Sequence, residues 1–192
     1  GVIEEQRPDL LNLASGAVML EYSSEYSGWY ALNLLDGGFQ HGWASAKNSA
    51  FPHRFVIELV ETYAIDTLVI DNTGTEERDY PGISAQEINL YAPTEAANTG
   101  YGKPLKLTAA SGRFTTFKFD SPVEARWLKL VVVSNHGRTD FTEIMGLEAH
   151  GNLINFNQLF TDPPGIQLRV LGNIIMDMTN LSFSVIRPLQ HD

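Results

Sequence analysis

Cysteine is absent from all 192 residues. Disulfides, thiolate metal sites and cysteine nucleophiles are excluded with it, although the compartment is not decided. Positive charge is scarce. Thirteen lysines and arginines face 23 acidic residues, for a formal charge of −10. Phosphate backbones and anionic lipid surfaces require a net basic face. Nucleic acid is therefore excluded as a partner, as is electrostatic docking on a membrane, and the acidity reads as solubility. No run reaches the roughly 18 apolar residues of a membrane span. The five histidines show no HxH or HExxH spacing, which leaves a zinc site unsupported. There is no GxSxG elbow, no P-loop and no GxGxxG. Nothing nominates a carboxylate pair for glycosidase chemistry, and no enzyme is expected.

What is present is ample for one packed domain. Apolar residues make up 43% of the chain, too many for a disordered segment. Residues 1–9 are polar and read as a loose lead-in. Val18 to Tyr22 forms a first strand pattern. Phe55, Ile57 and Leu59 alternate with Val56 and Glu58, and Ile65 to Ile70 repeats the period of two. Ile88, Leu90 and Tyr91 mark a strand stopped at Pro93. Leu105 and Leu107 suggest a short edge strand. Phe114, Phe117 and Phe119 lie in a strand expected to end at Pro122. Arg126 to Val133 is the most β-rich run, and its near-continuous apolar character predicts a central, buried strand. Ile144 to Ala149 closes a set of about eight short strands. No segment of helical period exceeds ten residues, so the pattern alone predicts an all-β sandwich.

The last 41 residues are different in kind. Asp162-Pro163-Pro164-Gly165 breaks the chain. Gln167 to Leu171 and Ile174 to Met178 flank Gly172-Asn173, a two-residue hairpin signal. Leu181, Phe183 and Val185 then alternate with serines, and with Ile186 they could form an apolar patch that favours a protein partner. Three strands hold too little area to fold alone. They are expected to pack on the sandwich, to pair with another copy, or to begin a further domain. Asn180-Leu181-Ser182 fits a glycosylation sequon, a triplet common by chance. The opening Gly1-Val2-Ile3-Glu4, without an initiator methionine, reads as a fragment or processed product.

One stretch organises the chain: Asn33-Leu34-Leu35-Asp36-Gly37-Gly38, followed by Phe39-Gln40-His41-Gly42-Trp43-Ala44-Ser45. An apolar run stops at an Asp-Gly turn, and glycines let the backbone wind tightly there. Asn12 to Ala17 lies upstream. Pro52 to Leu59, Glu124 to Leu130 and Leu147 to Gly151 follow. In this order they resemble the coagulation-factor type C, or discoidin, family. That family has a galactose-binding-like jelly-roll β-sandwich and includes many bacterial carbohydrate-binding modules. The resemblance spans residues 10–151 and divides the chain into a lead-in (1–9), the sandwich (10–151) and a C-terminal β extension or start of another domain (152–192).

The resemblance implies a non-catalytic module binding a carbohydrate through loops at one end of the sandwich. It also implies a secreted, periplasmic or cell-surface location within a larger protein. Trp29, in a loop with Tyr26 and Tyr30, offers an aromatic face for a sugar ring, or it closes one end of the sandwich. Tyr80 is the other candidate platform. Arg78, Asn135, His136 and Arg138 supply hydrogen bonds from loops. Trp43 and Trp127 lie in strand contexts and are assigned to the core. His53 and Arg54 only enter a strand. The resemblance also implies a structural calcium at Asp36, against a turn-capping role. Two departures weigh on it: His41 stands where an oxygen ligand is usual, and Gly146 where a late glutamate is usual, with Glu143 or Glu148 as substitutes. The competing function is protein–protein contact or self-association, through the same loops or the C-terminal strands. The same fold serves both.

Overall fold

The computed structural model describes residues 7–38, 41–99 and 101–154 in full, and residues 168–171, 174–177 and 182–185 as backbone strands. The chain falls into two compact units, residues 1–154 and 155–192.

The first unit is an antiparallel sandwich of eight strands: β1 (Val18–Tyr22), β2 (Trp43–Ala44), β3 (His53–Asp71), β4 (Glu87–Tyr91), β5 (Leu105–Thr108), β6 (Phe114–Val132), β7 (Glu143–Ile144) and β8 (Gly146–Leu153). The main sheet runs β1-β3-β6-β4-β5, with β8 also on β3, while β2 pairs with β7. The short patterns at residues 55–59 and 65–70 are therefore one strand. So are the patterns at 114–119 and 126–133. In β3, His53 to Glu58 pair with Val132 to Trp127 of β6, and Thr67 to Asp71 pair with Lys118 to Phe114. Register shifts between Glu58 and Tyr63, and between Ile65 and Thr67, separate the halves. Bulges of this kind bend a strand and turn a corner. Pro122 does not end β6, because it falls in the stretch where no β3 partner is needed and a missing N–H costs nothing. Each long strand thus serves both layers, with β1 on the first half of β3 and β8 on the second.

The core between the layers holds Phe55, Ile57, Leu59, Leu68, Ile70, Ile88, Leu128, Leu130 and Leu147 around a fully buried Trp43. Trp43 meets Phe55 edge-on at 4.7 Å, and its Nε1 donates to the Ser24 carbonyl at 2.8 Å. Trp127 departs from its assignment. Residues 128–132 alternate buried and half-buried, and Trp127, half-buried like Arg126, lies beneath the Arg126 guanidinium. The strand is central in the sheet, but only one face of it enters the core.

The lead-in is not loose where it is described. Arg7 forks onto Asp66 at 2.6 and 2.7 Å, and Asp9 accepts the N–H groups of Leu11 and Ala149. Burial raises the pKa of Asp9.

The second unit contains β9 (Leu168–Leu171), β10 (Ile174–Asp177) and β11 (Ser182–Val185) in the antiparallel order β11-β10-β9. Ile174 pairs with Leu171 in the antiparallel register of β9 and β10. The turn pair Gly172-Asn173, the breaker 162–165, the sequon asparagine, His191 and the side chains of the apolar patch lie outside the described residues.

Candidate functional site

Both ends of β3 reach the same end of the sandwich. Met145 N–H donates to the Asp71 carbonyl, the neighbouring Ile144 pairs with Trp43, and Trp43 packs on His53. The loops 23–42, 72–86 and 133–142 converge there.

Each loop is held by its own polar groups. Glu77 accepts the N–H groups of Gly82 (2.7 Å) and Ser84 (2.9 Å), closing residues 77–84 into a tight turn. Burial pushes the Glu77 pKa up, but these hydrogen bonds outweigh it and hold the carboxyl below its ordinary value. Gly82, at φ +86°, lies against the next loop: a Cβ would stand 2.9 Å from Arg138 N and 3.0 Å from the His136 carbonyl. Gly42 is more constrained, since a Cβ there would lie 2.3 Å from the Ile144 carbonyl oxygen.

Between these loops lies a cavity of about 110 Å³, lined by Tyr26, Trp29, Ala44, Glu76, Tyr80, Ile83, Phe141 and Glu143. Tyr26 and Phe141 meet edge-on at 5.2 Å, and His41 packs against Trp29 at 5.0 Å. Glu143, on β7, is 2% exposed. Its Oε2 accepts the backbone N–H of Glu76 at 2.9 Å. Burial, reinforced by the Glu76 and Glu77 carboxylates, pushes its pKa up to about 7, against the Glu76 hydrogen bond that lowers it. The site therefore offers aromatic faces, two tyrosine hydroxyls, an indole N–H and two carboxyls.

Of the residues expected to bind, the structure brings Trp29 and Tyr80 together on this cavity. Arg78 does not join them. Its side chain is 91% exposed and pairs with Asp79. Asn135 is buried, and its amide donates to the carbonyls of Arg138 and Phe141 and to Thr142 Oγ1. It shapes the 135–142 loop from within. His136 Nε2 meets the Ala109 carbonyl at 2.9 Å. Arg138 pairs with Asp140 and lies 5.0 Å over the Tyr80 ring, fixing its tilt rather than lining the cavity. Phe141 and the lining role of Glu143 carry no local sequence signal. A wider groove of about 370 Å³ lies beside β1, lined by Met19, Tyr22, Glu25, Tyr30, Leu32 and Asn33.

Asp36 behaves first as a cap. Its Oδ1 accepts Gly38 N–H at 2.8 Å, where Gly37 and Gly38 take φ +76° and +84°. Its Oδ2 is buried and has no partner among the described residues, which suits a cation. Gly146 brings no carboxylate, and Glu143 serves the aromatic cavity instead. Among the described residues no group of three histidines or acids converges on a metal position.

The profile of the F5/8 type C domain matches residues 20–147. The chain belongs to this family. No curated protein sequence matches it significantly. Among solved structures, a family 32 carbohydrate-binding module from Streptococcus pneumoniae EndoD is 16% identical (TM-score 0.60), covering 76% of this chain and all of that one. A chitosan-binding module from a Paenibacillus chitosanase/glucanase is 17% identical (TM-score 0.57, 73% and 98% covered). The allantoicase of Saccharomyces cerevisiae is also 17% identical (TM-score 0.59), over 78% of this chain and 45% of that one. At such identities the likeness shows the galactose-binding-like fold, and that fold alone does not select a chemistry. Among the described residues no helix is long and apolar enough to cross a membrane.

Proposed function

We propose that this F5/8 type C domain is a non-catalytic module that binds a glycan in the loop-end cavity. One observation carries the reading: four aromatic side chains from three separate loops, Tyr26, Trp29, Tyr80 and Phe141, converge on one concavity with two carboxyls. Sugar rings are held by aromatic faces against their C–H surfaces, with a few placed polar groups. The similarity of the fold to modules named for glycan binding supports this. A cavity this small encloses part of one residue, so a single site binds weakly and repetition in a larger exported or surface protein supplies avidity.

The orphaned Asp36 oxygen supports a hard cation such as calcium in the neighbouring loop, with backbone carbonyls as its other donors. Its part would be to stiffen the loop that leads to Trp43.

A glycan array probed with the intact chain and with Trp29→Ala and Tyr80→Ala tests the proposal. It predicts specific signals lost in both variants. Silence from the folded wild-type chain, or signals indifferent to both changes, contradicts it and moves the site to protein contact.

A further inference from the structure

The cavity is one-sided in its chemistry. Among its eight lining residues, Glu76 and Glu143 are acidic, and no lysine, arginine or histidine is included. The basic and amide groups nearby lie outside the lining: Arg138 pairs with Asp140 and sits over the Tyr80 ring, His41 packs against the Trp29 ring, Asn135 serves its own loop, and His136 lies beside the Ala109 carbonyl. The site thus presents carboxylate acceptors and ring faces, and its donors are limited to two phenol hydroxyls and one indole N–H. Aromatic faces attract cations through their quadrupole, more strongly when the site is desolvated. A buried carboxyl beside a second one needs a positive partner or a proton. Each feature alone is ordinary; together they describe a pocket for an ammonium group.

We infer that the preferred ligand is a sugar bearing a free amine, a hexosamine residue in its cationic form, with the ammonium between Glu143, Glu76 and the aromatic rings. This rests on the glycan reading above and adds the substrate class. The ammonium carries three donors and no acceptor, which matches the acceptor-rich wall. Acetylating the amine removes the charge, and a uronic acid would place a third carboxylate beside Glu76 and Glu143. About 110 Å³ equals the liquid share of roughly four waters, enough for an amine and the ring edge that bears it.

The test is calorimetric titration of the intact chain, at about pH 7.5, on the alkaline side of the Glu143 pKa of about 7, with methyl glycosides of four kinds. These are a hexosamine, its N-acetyl form, the parent hexose and the corresponding uronic acid, in gluco and galacto series. The inference predicts that the free amine binds at least about 10-fold tighter than its acetylated and neutral partners in one series, and that the uronic acid is weakest. Glu143→Gln, and separately Glu76→Gln should the first variant not fold, shrinks the amine-to-hexose ratio to about twofold or less. If hexose or N-acetyl sugar binds as well as the amine, the inference fails while the glycan reading stands. If none of the eight binds and the array above is also silent, both fail.

Discussion

Glu143 Oε2 accepts the backbone N–H of Glu76 at 2.9 Å, across 67 positions of sequence. That bond ties the loop after β3 to the short strand β7 and forms the floor of the aromatic cavity. The same carboxyl is buried and titrates near neutrality, so it links the shape of the site, the stability of the domain and the acidity of the medium.

The first consequence concerns pH. The Glu143 pKa rises from 4.5 to about 7 on folding, so between these values the folded chain binds more protons than the unfolded one. Its contribution is fully present below pH 4.5 and is lost as pH rises through 7. His53 has the opposite sign. Burial between Trp43 and Phe51 lowers its pKa from 6.5 to about 4, so its contribution is present above 6.5 and is lost as pH falls towards 4. The two slopes oppose each other from 4.5 to 6.5, each limited to about 1.4 kcal/mol per pH unit. Thermal melts are expected to be nearly flat in that window for the wild type. Glu143→Gln should tilt them, with stability falling on acidification; an unchanged profile would refute the assignment.

The tether itself can be removed. Glu143→Ala leaves the Glu76 N–H without its acceptor and opens space beneath the cavity, with an expected cost of about 1–3 kcal/mol. Denaturant midpoints for Glu143→Ala and Glu143→Gln separate the lost hydrogen bond from the lost charge, since glutamine keeps an acceptor oxygen.

Gly82→Ala is expected to loosen the site. The added Cβ would meet backbone of the 135–138 loop at 2.9 Å, at a φ of +86° that alanine adopts poorly. A loss of about 1–2 kcal/mol is expected, together with faster amide exchange at Arg138, whose N–H donates to the Gly82 carbonyl. Equal protection in the variant would show that the loops are not held at this glycine.

Much of the fold is legible in the chain because period-two patterning survives in the layers. Val18 to Tyr22, Ile88 to Tyr91 and Leu105 to Leu107 fall in β1, β4 and β5. The continuity of β3 and β6 is not legible, because a bulge interrupts the alternation where the strand turns its corner, and Pro122 looks like a stop. Trp29 and Tyr80 can be picked out as loop aromatics. Phe141 cannot, since it sits singly among polar residues and acquires meaning only when Tyr26 is folded against it. Arg78 and Asn135 look alike in sequence, yet one is solvated and the other is enclosed by its own loop.

The contrast between those residues is itself a prediction. Phe141→Ala should weaken glycan binding about 10-fold, or about 1.4 kcal/mol, by removing one ring of the cavity. Arg78→Ala should leave it unchanged, because that side chain is solvated outside the lining. A titration in which Arg78→Ala is the more damaging would move the site outward on the 72–86 loop.

For the Asp36 loop, millimolar calcium is expected to raise the melting temperature of the wild type and not that of Asp36→Asn, since the substitution removes the charge carried at the buried, unpartnered Oδ2. No shift in the wild type would leave Asp36 as a turn cap.

The central claim is that a glycan enters the cavity at Trp29. The three tryptophans allow a direct reading, because Trp29 lines the cavity, Trp43 is in the core and Trp127 lies under Arg126 on the sheet. Titrating the strongest array ligand into nitrogen-15-labelled protein and following the three indole N–H signals makes the measurement. The account predicts a saturable shift of the Trp29 signal, with the other two stationary. A shift confined to Trp127, or binding with no response from Trp29, would contradict it.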